Sequence, residues 1–210
     1  MPQPKLQTTR DIVLRALPYV RGSVLDVGAG SAKYKSLLEK QAESYVAFDA
    51  VAGANVDVVG SVEQLPFPDA SFDAALCNQV LEHVAHPQRV VGEICRVLKP
   101  KGVCILTAPF VAPFHKDPED YFRYTVDGLA LLVCEAGFDV IEKDCYTPIF
   151  STFFQMFEFT YFNPYAPHKH GGGWADRFLR YALKCAKILD RLFAKRHIVY
   201  GNSYVIARKS

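Results

Sequence analysis

The 210-residue chain holds one Trp and two Met, and its formal net charge is only +2. So small a positive excess gives no global nucleic-acid signature, and a nucleic-acid partner is not expected. No run of about 18 uncharged apolar residues occurs, so no membrane-spanning helix is expected. Met1 to Arg10 lacks an apolar stretch after its charge, so no secretory signal is expected, and the expected location is cytoplasmic. None of the six cysteines (Cys77, Cys95, Cys104, Cys134, Cys145, Cys185) falls in a C-x-x-C pair. Most sit inside apolar runs, which favours buried free thiols in a reducing compartment over zinc or disulfides. Repeats and low-complexity tracts are missing apart from a short His/Gly loop at 168–173. What remains is ordinary for a soluble globular protein: 50% apolar and 22% charged residues, in a length that suits a single domain, 1–210, with a full core.

The chain is organised around Val24-Leu25-Asp26-Val27-Gly28-Ala29-Gly30. Val24 to Val27 reads as a buried strand that runs into a Gly-x-Gly turn, and Ala32 to Glu39 reads as a helix. Glycine lets the backbone turn sharply and lets a ligand sit against it. The N–H groups opening the next helix would then face that ligand. Tyr45 to Asp49 is a second short strand ending in an acid nineteen residues beyond Gly30. At that distance the second strand of a β-α-β unit presents a carboxylate to a ribose diol. Further strands are expected over Asn55–Val59, Phe72–Cys77 and Val103–Ala108. Helices are expected over Asp11–Tyr19, Val80–Val84 and Pro87–Leu98, the last stopped by Lys99-Pro100-Lys101-Gly102. This alternation argues a parallel α/β sheet.

The second half departs from it. Pro109–Tyr124 is a loop rich in Pro, Asp, His and aromatics. Thr125–Ala136 reads as a helix with Thr125 as N-cap and Gly137 closing it. Phe138–Cys145 and Ser203–Arg208 read as strands. The segment between them is aromatic at Ser151–Phe162 and helical over Trp174–Arg196. In that helix Arg177, Arg180, Lys184, Lys187, Arg191 and Lys195 share one face, and Phe178, Tyr181, Cys185, Ile188 and Leu192 another. A basic amphipathic helix of this kind suits either an ordinary surface helix with a solvated face or peripheral contact with an anionic membrane. His168 and His170 lack a third ligand, so no metal is expected.

Four ordered blocks carry a family resemblance: Val24–Gly30; Phe48-Asp49; Leu65–Asp73 running into Asn78–Val84; and Arg96–Gly102. The sequence resembles class I S-adenosylmethionine-dependent methyltransferases, and more closely the type 11 methyltransferase domain, the group with quinone-biosynthesis methyltransferases. The resemblance spans roughly residues 20–110 and thins after Cys145. It implies a Rossmann-like seven-stranded, mostly parallel sheet with helices on both faces and an antiparallel last strand. In this reading 20–145 is the cofactor-binding core, 146–200 a helical insertion and 201–210 the final strand. It also implies S-adenosyl-L-methionine as cofactor, with Asp26, Gly28, Ala29 and Gly30 at its methionine end. Asp49 and Ala50 would serve its ribose, Ser61 and Val62 its adenine, and Asn78 and Gln79 the region of its sulfonium. Relatives usually carry an acid where Ser61 stands. An NAD-linked dehydrogenase does not fit, because Lys33 stands where its fingerprint wants a small residue.

Methyl transfer needs alignment and exclusion of water, and a general base only for a tightly held acceptor proton. His115, after the fifth strand, is the candidate base. His83, Tyr121, Arg123 and Tyr124 are candidate acceptor contacts; the alternatives are a structural role near a helix end for His83, loop shaping by His115 and Asp117, and bracing of the loop against the core by Tyr121, Arg123 and Tyr124. The expected acceptor is a small or lipid-like molecule. The alternative is a non-catalytic cofactor-binding or scaffold protein on the same fold.

Overall fold

The computed structural model describes residues 6–116, 118–162, 174–193 and 199–210. Helix α1 (Thr9–Ala16) opens on a reciprocal cap: Thr8 accepts from the Asp11 N–H while the Asp11 carboxylate accepts from the Thr8 N–H. A 3-10 turn at Leu17–Tyr19 leads to β1 (Gly22–Val27). Next come α2 (Lys35–Leu38), β2 (Ala42–Asp49), β3 (Val58–Val59) and β4 (Phe72–Asn78). A 3-10 turn at Leu81–His83 precedes α3 (Pro87–Val97) and β5 (Leu98–Pro109). The chain continues through α4 (Val126–Glu135), β6 (Phe138–Pro148), α5 (Ile149–Phe162), α6 (Trp174–Phe193) and β7 (Tyr200–Lys209).

Among the described residues the strands form one sheet of seven, in the order β3-β2-β1-β4-β5-β7-β6. Pairings from β3 to β5 are parallel, and β7 slots between β5 and β6 antiparallel to both. Along most of each central strand, residues alternate between two cores. Val24, Ala74, Leu76, Val103, Ile105, Tyr204 and Ile206 pack with Ile12, Val13 and Ala16 of α1. Leu25, Val27, Ala75, Cys77, Cys104, Leu106, Val205 and Ala207 pack with Val90, Val91 and Ile94 of α3 and Leu129 and Val133 of α4. Helices therefore cover both faces, which is why the strands are apolar on both sides. From β1 the chain winds outward through β2 and β3, then returns to start β4 on the other side of β1. That reversal opens a cleft at the carboxyl ends of β1 and β4.

Several expectations need correction. The helix expected over Ala32–Glu39 is a single turn at Lys35–Leu38, because Ala32 takes a left-handed φ of 52° that a helix cannot contain. A one-turn helix aligns too few peptide dipoles to act as an anion cradle. The third strand is only Val58–Val59, since the Asp57 carboxylate caps the Ala47 N–H and ends the pairing there. Lys99–Gly102 does not separate helix from strand. β5 already begins at Leu98, paired with Phe72. Cys134 is exposed, whereas Cys77, Cys104 and Cys145 are buried, all as free thiols. His168, His170, Gly171–Gly173, Lys195 and Asp117 lie outside the described residues, as do the side chains of Arg177, Arg180 and Arg191.

Candidate active site

The glycine turn is held by β2. The N–H groups of Gly28 and Ala29 both donate to the Phe48 carbonyl, at 2.9 and 3.0 Å. The Gly30 N–H donates to Asp49 Oδ2 at 2.8 Å, and the Val51 N–H to Oδ1 at 3.0 Å. Asp49 thus braces the loop and keeps acceptor capacity on each oxygen. Gly28 and Gly30 both have left-handed φ, 71° and 54°. Their reasons differ. A Cβ on Gly28 would lie 2.3 Å from Val80 Cγ2, so close packing of the β1 and β4 ends demands glycine there. A Cβ on Gly30 would meet nothing within 4 Å, leaving open space above the turn.

Asp26 is buried at the end of β1, and the Tyr45 hydroxyl donates to it at 2.5 Å. Among the described residues no Lys or Arg pairs with it. Burial pushes its carboxyl up to about 6, against the pull of the Tyr45 hydrogen bond, and the nearby Asp49 charge adds to the rise. A buried carboxylate without a cation is costly, so this end of the cleft favours a positively charged ligand group. Ala50 and Ser61 are exposed and Val62 is buried. Ser61 Oγ accepts from the Glu63 N–H.

At the end of β4, Asn78 Oδ1 accepts from the Thr107 hydroxyl at 2.7 Å. Gln79 takes a left-handed φ of 54°, and its amide donates to Thr107 Oγ1 and to the Tyr146 hydroxyl, each at 3.3 Å. Both side chains are therefore tied into a polar cluster spanning β4, β5 and β6. Tyr45, Thr107 and Tyr146 escaped the sequence reading, since only the strand pairing brings them here.

The loop after β5 brings His83 and His115 together, their rings edge to face at 5.1 Å. His83 Nε2 lies 3.8 Å from Glu82 Oε1. Glu82 is 0% exposed and neither carboxylate oxygen has a hydrogen-bond partner. Loss of solvent pushes its carboxyl up to about 7. The His115 N–H donates to Asp120, which is clamped by Arg123 and held down at about 2 mainly by that bond. Arg123 also donates to the Pro113 carbonyl at 2.9 Å. The Tyr124 hydroxyl donates to the Leu81 carbonyl, so Tyr124 braces the loop, while the Tyr121 ring is exposed.

A family model described as a methyltransferase domain matches residues 25–106, which run from β1 through most of β5. Over those residues the chain is similar to a methyltransferase domain. Its sequence is 45% identical over 74 residues to demethylmenaquinone methyltransferase from Tropheryma whipplei, covering 33% of this chain and 30% of that one. The chain thus spans about a third of the length of the curated relatives it matches. Among solved structures, the [4+2]-cyclase SpnF aligns with a TM-score of 0.63 and 22% identity, over 96% of this chain and 79% of that one. Burkholderia thailandensis 1,6-didemethyltoxoflavin-N1-methyltransferase, solved with S-adenosylhomocysteine, aligns at 0.62 and 18%, over 96% and 77%. At such identities the likeness shows the fold, and a cyclase among the neighbours underlines that the fold alone does not choose the reaction.

Proposed function

We propose that the domain is an active S-adenosylmethionine-dependent methyltransferase for a small or lipid-like acceptor. The observation that carries this is Asp26, a buried carboxylate without a cationic partner, beside a glycine turn that opens on free space. The residues fit the cofactor: a cationic amino-acid end suits Asp26, and Asp49 stands ready for ribose hydroxyls. S-Adenosylmethionine, when bound, supplies an activated methyl group on its sulfonium. Asp26 anchors the ammonium, the Gly28–Gly30 backbone lets the ligand approach, and Asp49 accepts from the diol. Val62 offers an apolar wall for adenine, with Ser61 and Ala50 at its rim. Asn78 and Gln79 shape the floor between the cofactor and acceptor sides. Glu82, His83 and His115 form the acceptor side, where, with no cation bound, an imidazole Nε2 can take the proton of a hydroxyl or amine nucleophile. Similarity to a demethylmenaquinone methyltransferase supports an apolar, ring-bearing acceptor.

The insertion between β6 and β7 supports delivery of that acceptor from a membrane surface. Phe178, Tyr181, Ile188 and Leu192 of α6 are all exposed, an apolar stripe that no core covers among the described residues. No helix of the described residues is long and apolar enough to cross a membrane, so the contact would be peripheral. Co-sedimentation with anionic vesicles at low salt, lost on Phe178→Ser with Leu192→Ser, is the expected result.

The deciding experiment is calorimetric titration of S-adenosylmethionine and S-adenosylhomocysteine into the wild type and Asp49→Ala. Binding by the wild type, weakened by about 1–3 kcal/mol in the variant, is expected from the loss of charged hydrogen bonds. No binding by folded wild type overturns the reading.

A further inference from the structure

Glu82, His83 and His115 each offer a ligand atom, and the three atoms lie within 4.8 Å of one another. Spacing along the chain offers no reason to expect a metal, because His115 stands in a different loop. The fold gives three. First, Glu82 is fully buried with both oxygens unpartnered, an arrangement that costs free energy unless something positive arrives. Second, the imidazoles are already oriented. His83 Nδ1 is 2.5 Å from the Glu119 carbonyl and His115 Nδ1 is 3.0 Å from the Pro113 carbonyl. An Nδ1–H donated to a backbone carbonyl leaves the lone pair on Nε2, the arrangement that metal-ligating histidines use. Third, the loop bearing His115 is fixed from behind. Asp120 accepts from the His115 N–H, and Arg123 clamps both Asp120 and the Pro113 carbonyl.

We propose that Glu82, His83 and His115 form a binding site for a divalent first-row transition-metal cation, of which Zn2+ is the type. Two imidazoles and one carboxylate suit Zn2+ and its neighbours rather than Mg2+ or Ca2+, which prefer all-oxygen shells. Bonds of about 2.0–2.2 Å place tetrahedral donors roughly 3.4 Å apart. Glu82 and His83 at 3.8 Å are close to that separation, and all three ligand atoms lie within 4.8 Å of one another. Three protein ligands leave at least one position open for oxygen, either water or an acceptor hydroxyl. Only this acceptor role rests on the proposed methyl transfer; the cation site itself does not.

The test uses the full chain stripped of metal by chelator, then titrated with Co2+ and followed by visible absorption, with Zn2+ as competitor. One Co2+ per chain, displaced by Zn2+, is expected. Glu82→Gln and His115→Ala should each weaken uptake at least tenfold. His86→Ala, at an exposed position outside the cluster, and the double variant His168→Ala/His170→Ala should bind as the wild type does. Thermal melting of each metal-free variant establishes that it is folded; if Glu82→Gln is not, His83→Asn takes its place. No uptake by folded wild type overturns the proposal. So does uptake that survives loss of Glu82 and His115, or that vanishes with His168 and His170. S-Adenosylhomocysteine titration with chelator present reads the cofactor side separately, so the two proposals fail independently.

Discussion

Gly28 shows how one position answers to two demands. Its left-handed φ costs any L side chain about 1–2 kcal/mol, and its missing Cβ makes room for Val80. Gly28→Ala should therefore lower stability by about 2 kcal/mol or more. Adding Val80→Ala should recover the steric part but not the backbone part, as denaturant melts of the three proteins would reveal. Glu82 carries a different liability. Its carboxyl stays protonated up to about 7 in the fold, against an ordinary 4.5, because burial disfavours the charge. Between those values the unfolded chain has given up a proton that the folded chain keeps. Stability therefore falls as pH rises from about 4.5 to 7, by an amount on the order of 3 kcal/mol. Asp26 adds a drop of the same sign between about 4 and 6. Melts in the presence of chelator should show the metal-free protein weaker at pH 8 than at pH 5, and Glu82→Gln should flatten the curve between 4.5 and 7. An unchanged slope in that variant would refute the assignment.

Elements fixed by strong local signals were legible in the sequence. The β1 run, the Pro-started α3 with its apolar stripe and the Thr125-capped α4 closed by Gly137 all appear where periodicity and capping put them. The expected helix over Ala32–Glu39 shrank because its first residues form successive tight turns, with Ala32 N–H on Ala29 and Lys35 N–H on Ala32; propensity does not see such turns. The insertion was legible as aromatic and basic, but its anchor was not. Asp190 of α6 accepts from the N–H groups of Phe150 and Ser151 and from the Ser151 hydroxyl, at 2.9, 2.9 and 2.6 Å. It thereby caps the start of α5 from across the insertion. Asp190→Ala should leave three donors unsatisfied, the two on Ser151 buried, costing about 1–3 kcal/mol. Faster amide exchange in α5 and α6, with the sheet unchanged, is the expected signature in hydrogen exchange.

For the molecule as a whole, the glycine turn and Asp49 were readable because β1 and β2 are neighbours in both sequence and space. The Glu82, His83 and His115 cluster was not, because it exists only once the β5 loop folds back over the end of β4. Tyr45 likewise meets Asp26 only through the parallel register of β1 and β2. Local pattern thus reveals the glycine turn and its flanking acid, and tertiary placement is needed for the side chains that gather around them. Pro148, where β6 ends, sits directly opposite Tyr200, where β7 begins. The long excursion through α5 and α6 leaves and rejoins the sheet at one rung, as a hairpin loop would. It can be excised and replaced by a short turn, or exchanged for another protein's segment, without re-threading a strand. What is hung on this edge of the sheet is thus a graftable trait, free to diverge while the strands stay constant.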